Sequence, residues 1–239
     1  MKNQRGYILV IIILVALIGL VLVYLLPKFG IKNTTAVLTQ PVWKNYKGSN
    51  SYSNLSFDYS EKYPVYTEAF SAFSETGGQG IALTKFDIDN FDYAQSNLSK
   101  SEMQKYYNDL KKGNVVGKSP LSPWSLDSSN QIKKLKSGKF FRISTTFSAY
   151  EVCDFKFHTT IEIPQDNSLI EVTIYGDTDK IRNSMMNSDL LTLWEGCDKK
   201  SFASGGMKKF WNQLVAGQAT TEAKDWYDTA TRVIDTINF

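Results

Sequence analysis

The stretch FKFHTTIEIPQDNSLIEVTIY, residues 155–175, decides the fold. Apolar and polar side chains alternate through 155–163, with Phe155, Phe157 and Ile161 on one side and His158 and Glu162 on the other. A second short run of strand-forming residues follows at 169–175. Period two sends successive side chains to opposite faces of a strand. Between the two runs, Pro164-Gln165-Asp166-Asn167-Ser168 gathers turn-forming residues, so the pattern predicts a β-hairpin and antiparallel pairing. In such a hairpin Glu162 and Glu171 can face each other across the strands.

Working outward, 132–135 and 140–147 read as the strands before the hairpin. Residues 55–59 and 80–86 read as earlier strands, and 65–70 as a continuation of 55–59 or a partner for it. Lys100–Lys112 turns helical: Ser99 or Ser101 can cap it, Met103, Tyr106, Tyr107 and Leu110 share a face, and Gly113 stops it. A Pro-rich loop follows around Pro120 and Pro123. The C-terminal third reads as helices at 180–194, 207–214 and 222–237. In the last, Thr220 or Thr221 can cap, and Glu222 and Asp225 sit in the first turn, where the helix dipole favours anions. Trp226, Ala230, Val233, Ile234 and Ile237 form a stripe suited to packing on a sheet. Strands followed by helices, with one helix between early strands, indicate an α+β sandwich.

The N-terminus reads differently. Residues 7–26 contain no charge and no Pro, and sixteen of them are Ile, Leu or Val. As a helix such a run is about 30 Å long, one bilayer crossing, and each of those residues favours insertion by about 0.3–0.6 kcal/mol. The expected organisation is a cytoplasmic tail at 1–6, a transmembrane helix at 7–26, a flexible linker at 27–50 and one extracytoplasmic domain at 51–239. The expected location is the cell membrane, with a single pass. A cleaved signal has a shorter apolar core of about 7–15 residues and a small-x-small site at its end. Here the nearest such site, Thr34-Thr35-Ala36, lies well beyond the run. No Cys follows the run to accept a lipid. Gly6-Tyr7-Ile8-Leu9 after Arg5 resembles a type IV pilin leader, although Ile11 stands where pilins carry a Glu.

Charge does not orient the span, because Lys2, Arg5 and the α-amino group are matched by Lys28, Lys32 and Lys44. The cysteines supply the direction. Cys153 and Cys197 are the only two, and an exported context suits a disulfide between them. Closing a loop of about 45 residues stabilises a fold by roughly 4 kcal/mol in the chain-entropy model. Two separate buried thiols are the alternative. Without the four basic side chains of the first 32 residues, the 27 basic and 24 acidic groups come close to balance. That leaves no electrostatic footprint for nucleic acid. The densest basic group, Lys133, Lys134, Lys136 and Lys139, reads as the solvated face of a strand pair.

Few residues carry the chemistry of a site. His158 is the single histidine, and five residues from Cys153 on one strand it would point to the opposite face. That leaves neither a metal set nor a Cys-His device. Gly77-Gly78-Gln79-Gly80 precedes a strand, not the helix that a phosphate loop requires. Asp87, Asp89, Asn90 and Asp92 resemble a calcium loop, but no Gly makes its bend and no Glu closes it, so a solvated loop competes with a metal site. Trp194, Trp211 and Trp226 fall at helical positions that suit the core or a groove. No cofactor motif is present.

The opening Tyr52-Ser53-Asn54-Leu55-Ser56-Phe57-Asp58-Tyr59, with Tyr63-Pro64, resembles the aromatic-x-Phe-x-Tyr-Pro start of the PsbP/Mog1-like superfamily. Here Ser60-Glu61-Lys62 separates the Tyr from the Tyr-Pro pair, and no Trp follows the Pro. The ending from Thr231 to Phe239 is similar to that family's closing helix and tail. The resemblance implies an αβα sandwich around an antiparallel sheet, carried on a single-pass anchor, with a non-enzymatic binding or assembly role and no transferable site residue. Its partners would be the lipid bilayer and a protein of the envelope. The competing reading is a tethered hydrolase using paired carboxylates among Glu151, Glu162 and Glu171.

Overall fold

The computed structural model describes residues 40–67, 78–95, 98–115, 117–121, 127–149, 155–184 and 207–239. The chain divides into two units, Met1–Gln40 and Pro41–Phe239, and the elements below belong to the second. Eight strands are described: β1 (Trp43–Lys47), β2 (Ser56–Ser60), β3 (Val65–Tyr66), β4 (Gly80–Asp87), β5 (Asp127–Lys134), β6 (Phe140–Ala149), β7 (Phe155–Gln165) and β8 (Ser168–Tyr175). The α-helices are α1 (Lys100–Lys112), α2 (Thr178–Ser184), α3 (Met207–Val215) and α4 (Thr221–Thr236).

β7 and β8 form the expected hairpin, with Asp166 and Asn167 at φ of 47° and 58° in its two-residue turn. Both are residue types that tolerate the left-handed region such turns require. The hairpin lies inside a six-stranded sheet of order β3-β4-β8-β7-β6-β5.

The expected fold class needs correcting. The fold is α+β, but the sheet is mixed: β3 pairs with β4 in parallel, while the other neighbours are antiparallel. The pairing also takes 65–66 away from β2. Among the described residues no helix is long and apolar enough to cross a membrane, and 7–26, where a transmembrane helix was expected, lies outside them. Within the expected linker, β1 pairs antiparallel with β2 over its whole length, so the folded unit includes residues 41–50.

One sheet face is apolar. Phe141, Ile143, Phe157, Ile161, Ile170, Val172 and Ile174 share one core with α4, whose Trp226, Ala230 and Val233 are buried as the helical stripe predicts. Trp226 Nε1 donates to the Ile174 carbonyl at 3.1 Å, and its ring centroid is 5.6 Å from that of Phe157. Gly176 permits this approach, since a Cβ there would meet Ile181 Cδ1 at 2.7 Å and Trp226 Cγ at 3.1 Å. The chain end closes against β2 through a reciprocal pair of 2.9 Å bonds between Ser56 and Asn238.

α1 covers part of the other face. Its start is a capping box: Glu102 N–H donates to Ser99 Oγ, and Ser99 N–H donates to Glu102 Oε2. Its end is Gly113 at φ 75°, as the sequence predicts. Met103, Tyr106, Tyr107 and Leu110 cluster with Ile88 and Leu169, and Tyr107 Oη accepts the Asn167 N–H at 3.1 Å. α1 is thereby fixed to the turn between β7 and β8.

Candidate functional site

The face beneath α1 holds the unusual chemistry. Alternation puts Arg142 and Ser144 of β6, Glu162, Thr160 and His158 of β7, and Glu171, Thr173 and Tyr175 of β8 on this side. In ordinary half-covered sheets such side chains meet water. Here Arg142 and Glu162 are 2% and 0% exposed, and Glu171 is 6% exposed.

Burial of this kind demands partners, because an unpaired charge in a low dielectric costs several kcal/mol. Glu162 has them. Arg142 Nη1 and Tyr106 Oη each donate to its Oε2 at 2.6 Å, and Ser119 Oγ donates to its Oε1. Arg142 Nε in turn donates to Asn130 Oδ1 at 2.9 Å. The phenol of Tyr106 is raised above its ordinary pKa, first by burial and then by the Glu162 charge. It remains a donor.

Glu171 stands directly opposite Glu162 in the β7–β8 register, the juxtaposition the hairpin predicts. Burial, followed by the Glu162 charge, pushes its pKa up to about 8, while Arg142 acts in the opposite sense. Among the described residues no hydrogen bond reaches its carboxyl. The sheet thus brings together one carboxylate held by three donors and one carboxyl group whose ionisation is opposed by burial and by its neighbour's charge.

Two catalytic carboxylates must both reach substrate, with room between them for a sugar, a water or a leaving group. Among the described residues Glu162 accepts from three donors, and these tie β7 to β6, to α1 and to the loop at Ser119. Glu151, the third carboxylate of the hydrolase reading, lies outside the described residues. Arg142, Tyr106 and Ser119 are the members that sequence reasoning missed. Tyr106 reads as core from helical spacing, and Ser119 sits in a loop with no periodicity.

Asp87 closes an Asx turn: its Oδ1 accepts from the Asp89 and Asn90 amides at 3.0 and 3.3 Å, and its Oδ2 from Asn90 Nδ2 at 2.9 Å. These bonds, the Asn90 side chain foremost, hold its pKa below the ordinary carboxylate value. Asp89 pairs with Lys100 at 2.8 Å and accepts from Asn167 Nδ2, and Asp92 accepts the Ala94 amide at 3.1 Å. The three carboxylates point to three different local tasks. Among the described residues no cluster of His, Cys, Asp and Glu gathers that could hold a metal.

His158 packs beside Tyr175, ring centroids 5.7 Å apart. Gly80 opens β4 and not a helix. Trp211 is half-buried against Tyr227, while Cys153, Cys197, Trp194 and Gly77 lie outside the described residues.

A second feature lies on the small sheet. β1 pairs with β2 on one side, and at its start Val42 and Trp43 are 55% and 37% exposed. The Arg232 guanidinium sits 5.5 Å from the Trp43 ring centroid and donates to Asp58 Oδ2 at 2.7 Å. Asp58 also accepts from Asn45 Nδ2 at 2.9 Å. These bonds, Asn45 first, lower the Asp58 pKa. The aromatic is therefore held in place at the surface by α4 and β2. No protein-family model matches the chain, and no curated protein matches it.

Proposed function

We propose that the chain is a membrane-anchored binding or scaffold domain on the extracytoplasmic side of a bacterial-type membrane, acting in envelope assembly through a protein partner. The observation that carries this reading is the edge of β1, where Val42 and Trp43 are exposed and the indole is fixed by Arg232. A strand edge supplies unpaired backbone donors and acceptors, and a rigid exposed aromatic supplies contact area at little entropic cost. The apolar run at 7–26 supports the anchor, and the polar character of 27–40 suits a tether. The PsbP/Mog1-like assignment belongs to the same proposal. The bridge between Ser56 and Asn238 supports it by setting the opening and closing motifs side by side.

Gentle detergent extraction of the full chain, with Trp43→Ala beside wild type, tests the reading. A protein retained by wild type and lost from the variant is the expected result, and equal recovery removes β1 as the contact. Protease added to intact cells should degrade the domain without lysis. Sparing it until lysis reverses the orientation. A disulfide between Cys153 and Cys197 is part of the same placement. Non-reducing peptide mapping should return the cross-linked peptide, and full alkylation of both thiols without reductant rejects it.

A further inference from the structure

Residues 117–121 are held on the polar face of the sheet at two points. The Gly117 carbonyl accepts from Asn130 Nδ2 at 2.6 Å, and Arg142 Nη2 lies 3.5 Å from it. Ser119 Oγ donates to Glu162 and accepts the Leu121 N–H at 3.2 Å. Asn130 is itself bound to Arg142 Nε, so both points lead back to the Arg142–Glu162 pair.

Glu171 is the neighbour that can disturb this pair. Among the described residues, the ionisable groups on its side of the sheet are Glu162 and His158 of β7, Arg142 of β6, Lys134 of β5, Tyr106 and Tyr107 of α1 and Tyr175 of β8, and of the two cations Arg142 stands in line with Glu171 through Glu162. β4 sets Thr84 across from it, and Lys85 alternates to the other side. Arg142 is thus the cation available to an ionised Glu171, and it is already bound to Glu162, to Asn130 and toward Gly117.

We propose that residues 117–121 form a proton-dependent strap on the polar face: while Glu171 holds its proton, Arg142 and Glu162 keep the strap in place, and when Glu171 ionises it draws Arg142 away and the strap lifts. The proton leaves to solvent and no bond other than Oε–H breaks. Burial and the Glu162 charge both oppose ionisation of Glu171, which moves the transition well above the ordinary carboxylate range. The two carboxyls titrate as a pair, so the midpoint belongs to the cluster. Lifting the strap removes the Ser119 donor from Glu162 and opens a path to Thr160, Thr173 and Ser144, whose hydroxyls line the same face. The inference goes beyond the binding role proposed above and depends on neither the anchor nor the partner.

Amide hydrogen exchange of the full chain in detergent, corrected for the intrinsic rate, reads the strap directly. Between about pH 6 and about pH 9 the amides of 117–121 should lose about tenfold or more in protection and stay less protected than those of β8, which follow global stability, and Glu171→Gln should hold the strap closed at both values. Unchanged wild-type protection, equal loss in Glu171→Gln, or strap protection equal to that of β8 each overturns the proposal. If Glu171→Gln does not fold, the wild-type chain carries the test through the infrared carbonyl band of a protonated carboxylic acid in glutamate-labelled protein. The band should vanish with the same midpoint as strap protection, and its absence at about pH 6 overturns the assignment of the proton.

Discussion

At the centre of the six-stranded sheet both faces are buried, and they are held by opposite means. Beneath α4 the contact is made by Phe141, Ile143, Phe157, Ile161 and Val172 around Trp226, where stabilisation comes from apolar area and close packing. Beneath α1 lie Arg142, Glu162, Glu171, Thr160 and Thr173, where each polar atom has to be matched or kept neutral. An apolar face tolerates a change of shape at the cost of a cavity. A polar face tolerates little change of charge, since removing one partner strands another. The same strands therefore carry a packing problem on one side and an electrostatic one on the other.

The largest effect should come from the polar side. Arg142→Ala leaves Glu162 without its cation and Glu171 without the charge that offsets burial, and breaking a buried pair in this way costs about 3–5 kcal/mol. Chemical denaturation of the domain measures it. A loss below about 1 kcal/mol, the range of an exposed pair, would mean that water reaches the cluster and the contrast between the faces fails.

Trp226→Ala is the matching experiment on the apolar side and should cost about 3–5 kcal/mol through lost burial and the cavity left behind. Trp226 is 1% exposed, so little of that volume can be refilled by solvent. Its indole bonds the Ile174 carbonyl and packs against Phe157, so the loss should be the same at mildly acid and mildly alkaline pH. A surface-sized effect below about 0.5 kcal/mol would reject the core role.

The two faces were also unequally legible. The hairpin, α1 with its Ser99 cap and Gly113 stop, and the α4 stripe follow from local periodicity and end chemistry, which the sequence displays directly. Polar alternation in 155–163 and 169–175 marks a second face but reads as solvated, because nothing in a strand's own residues says that another element will cover it. The covering set is assembled from α1, β6 and the Ser119 loop, and such partners are distant in sequence. Glu162 opposite Glu171 was visible because both lie on one hairpin, whereas Arg142 and Tyr106 were not. β3 is two residues long and β1 is mostly exposed along its length, so neither carries a hydrophobic pattern for alternation to detect. The parallel pairing of β3 was lost with it.

The pH response should separate the faces next. Glu171 has its pKa raised in the fold, so the folded chain keeps a proton that the unfolded chain releases. Its contribution to stability is complete below the ordinary carboxylate range and declines as pH rises toward about 8, by about 1.4 kcal/mol per unit from this group alone. Glu171→Gln should flatten that limb of the stability profile, and the Trp226→Ala profile should run parallel to wild type. An equally steep fall in Glu171→Gln would assign the slope to other groups.

The smallest contrast lies between the two helices that cover the faces. α1 begins with a reciprocal capping box, Ser99 Oγ taking the Glu102 amide at 3.2 Å and Glu102 taking the Ser99 amide at 3.1 Å. α4 begins at Thr220, whose side chain makes no capping bond and instead accepts from Ser184 Oγ at 2.7 Å. Ser99→Ala should therefore cost about 1 kcal/mol, the usual loss for a capping hydroxyl, while Thr220→Ala should fall near the lower end of the range, about 0.5 kcal/mol. The difference follows from what each helix has to hold. α4 is retained by Trp226 and Val233 whether or not its first amides are satisfied, whereas α1 must place the Tyr106 hydroxyl on Glu162 and gains from a fixed start. If the two substitutions cost the same in denaturation, the first turn of α1 is held by Met103 and Tyr106 packing alone and the cap is incidental. If Ser99→Ala costs more than Thr220→Ala and also shifts the limb of the stability profile that Glu171 controls, α1 and the carboxyl pair act as one unit.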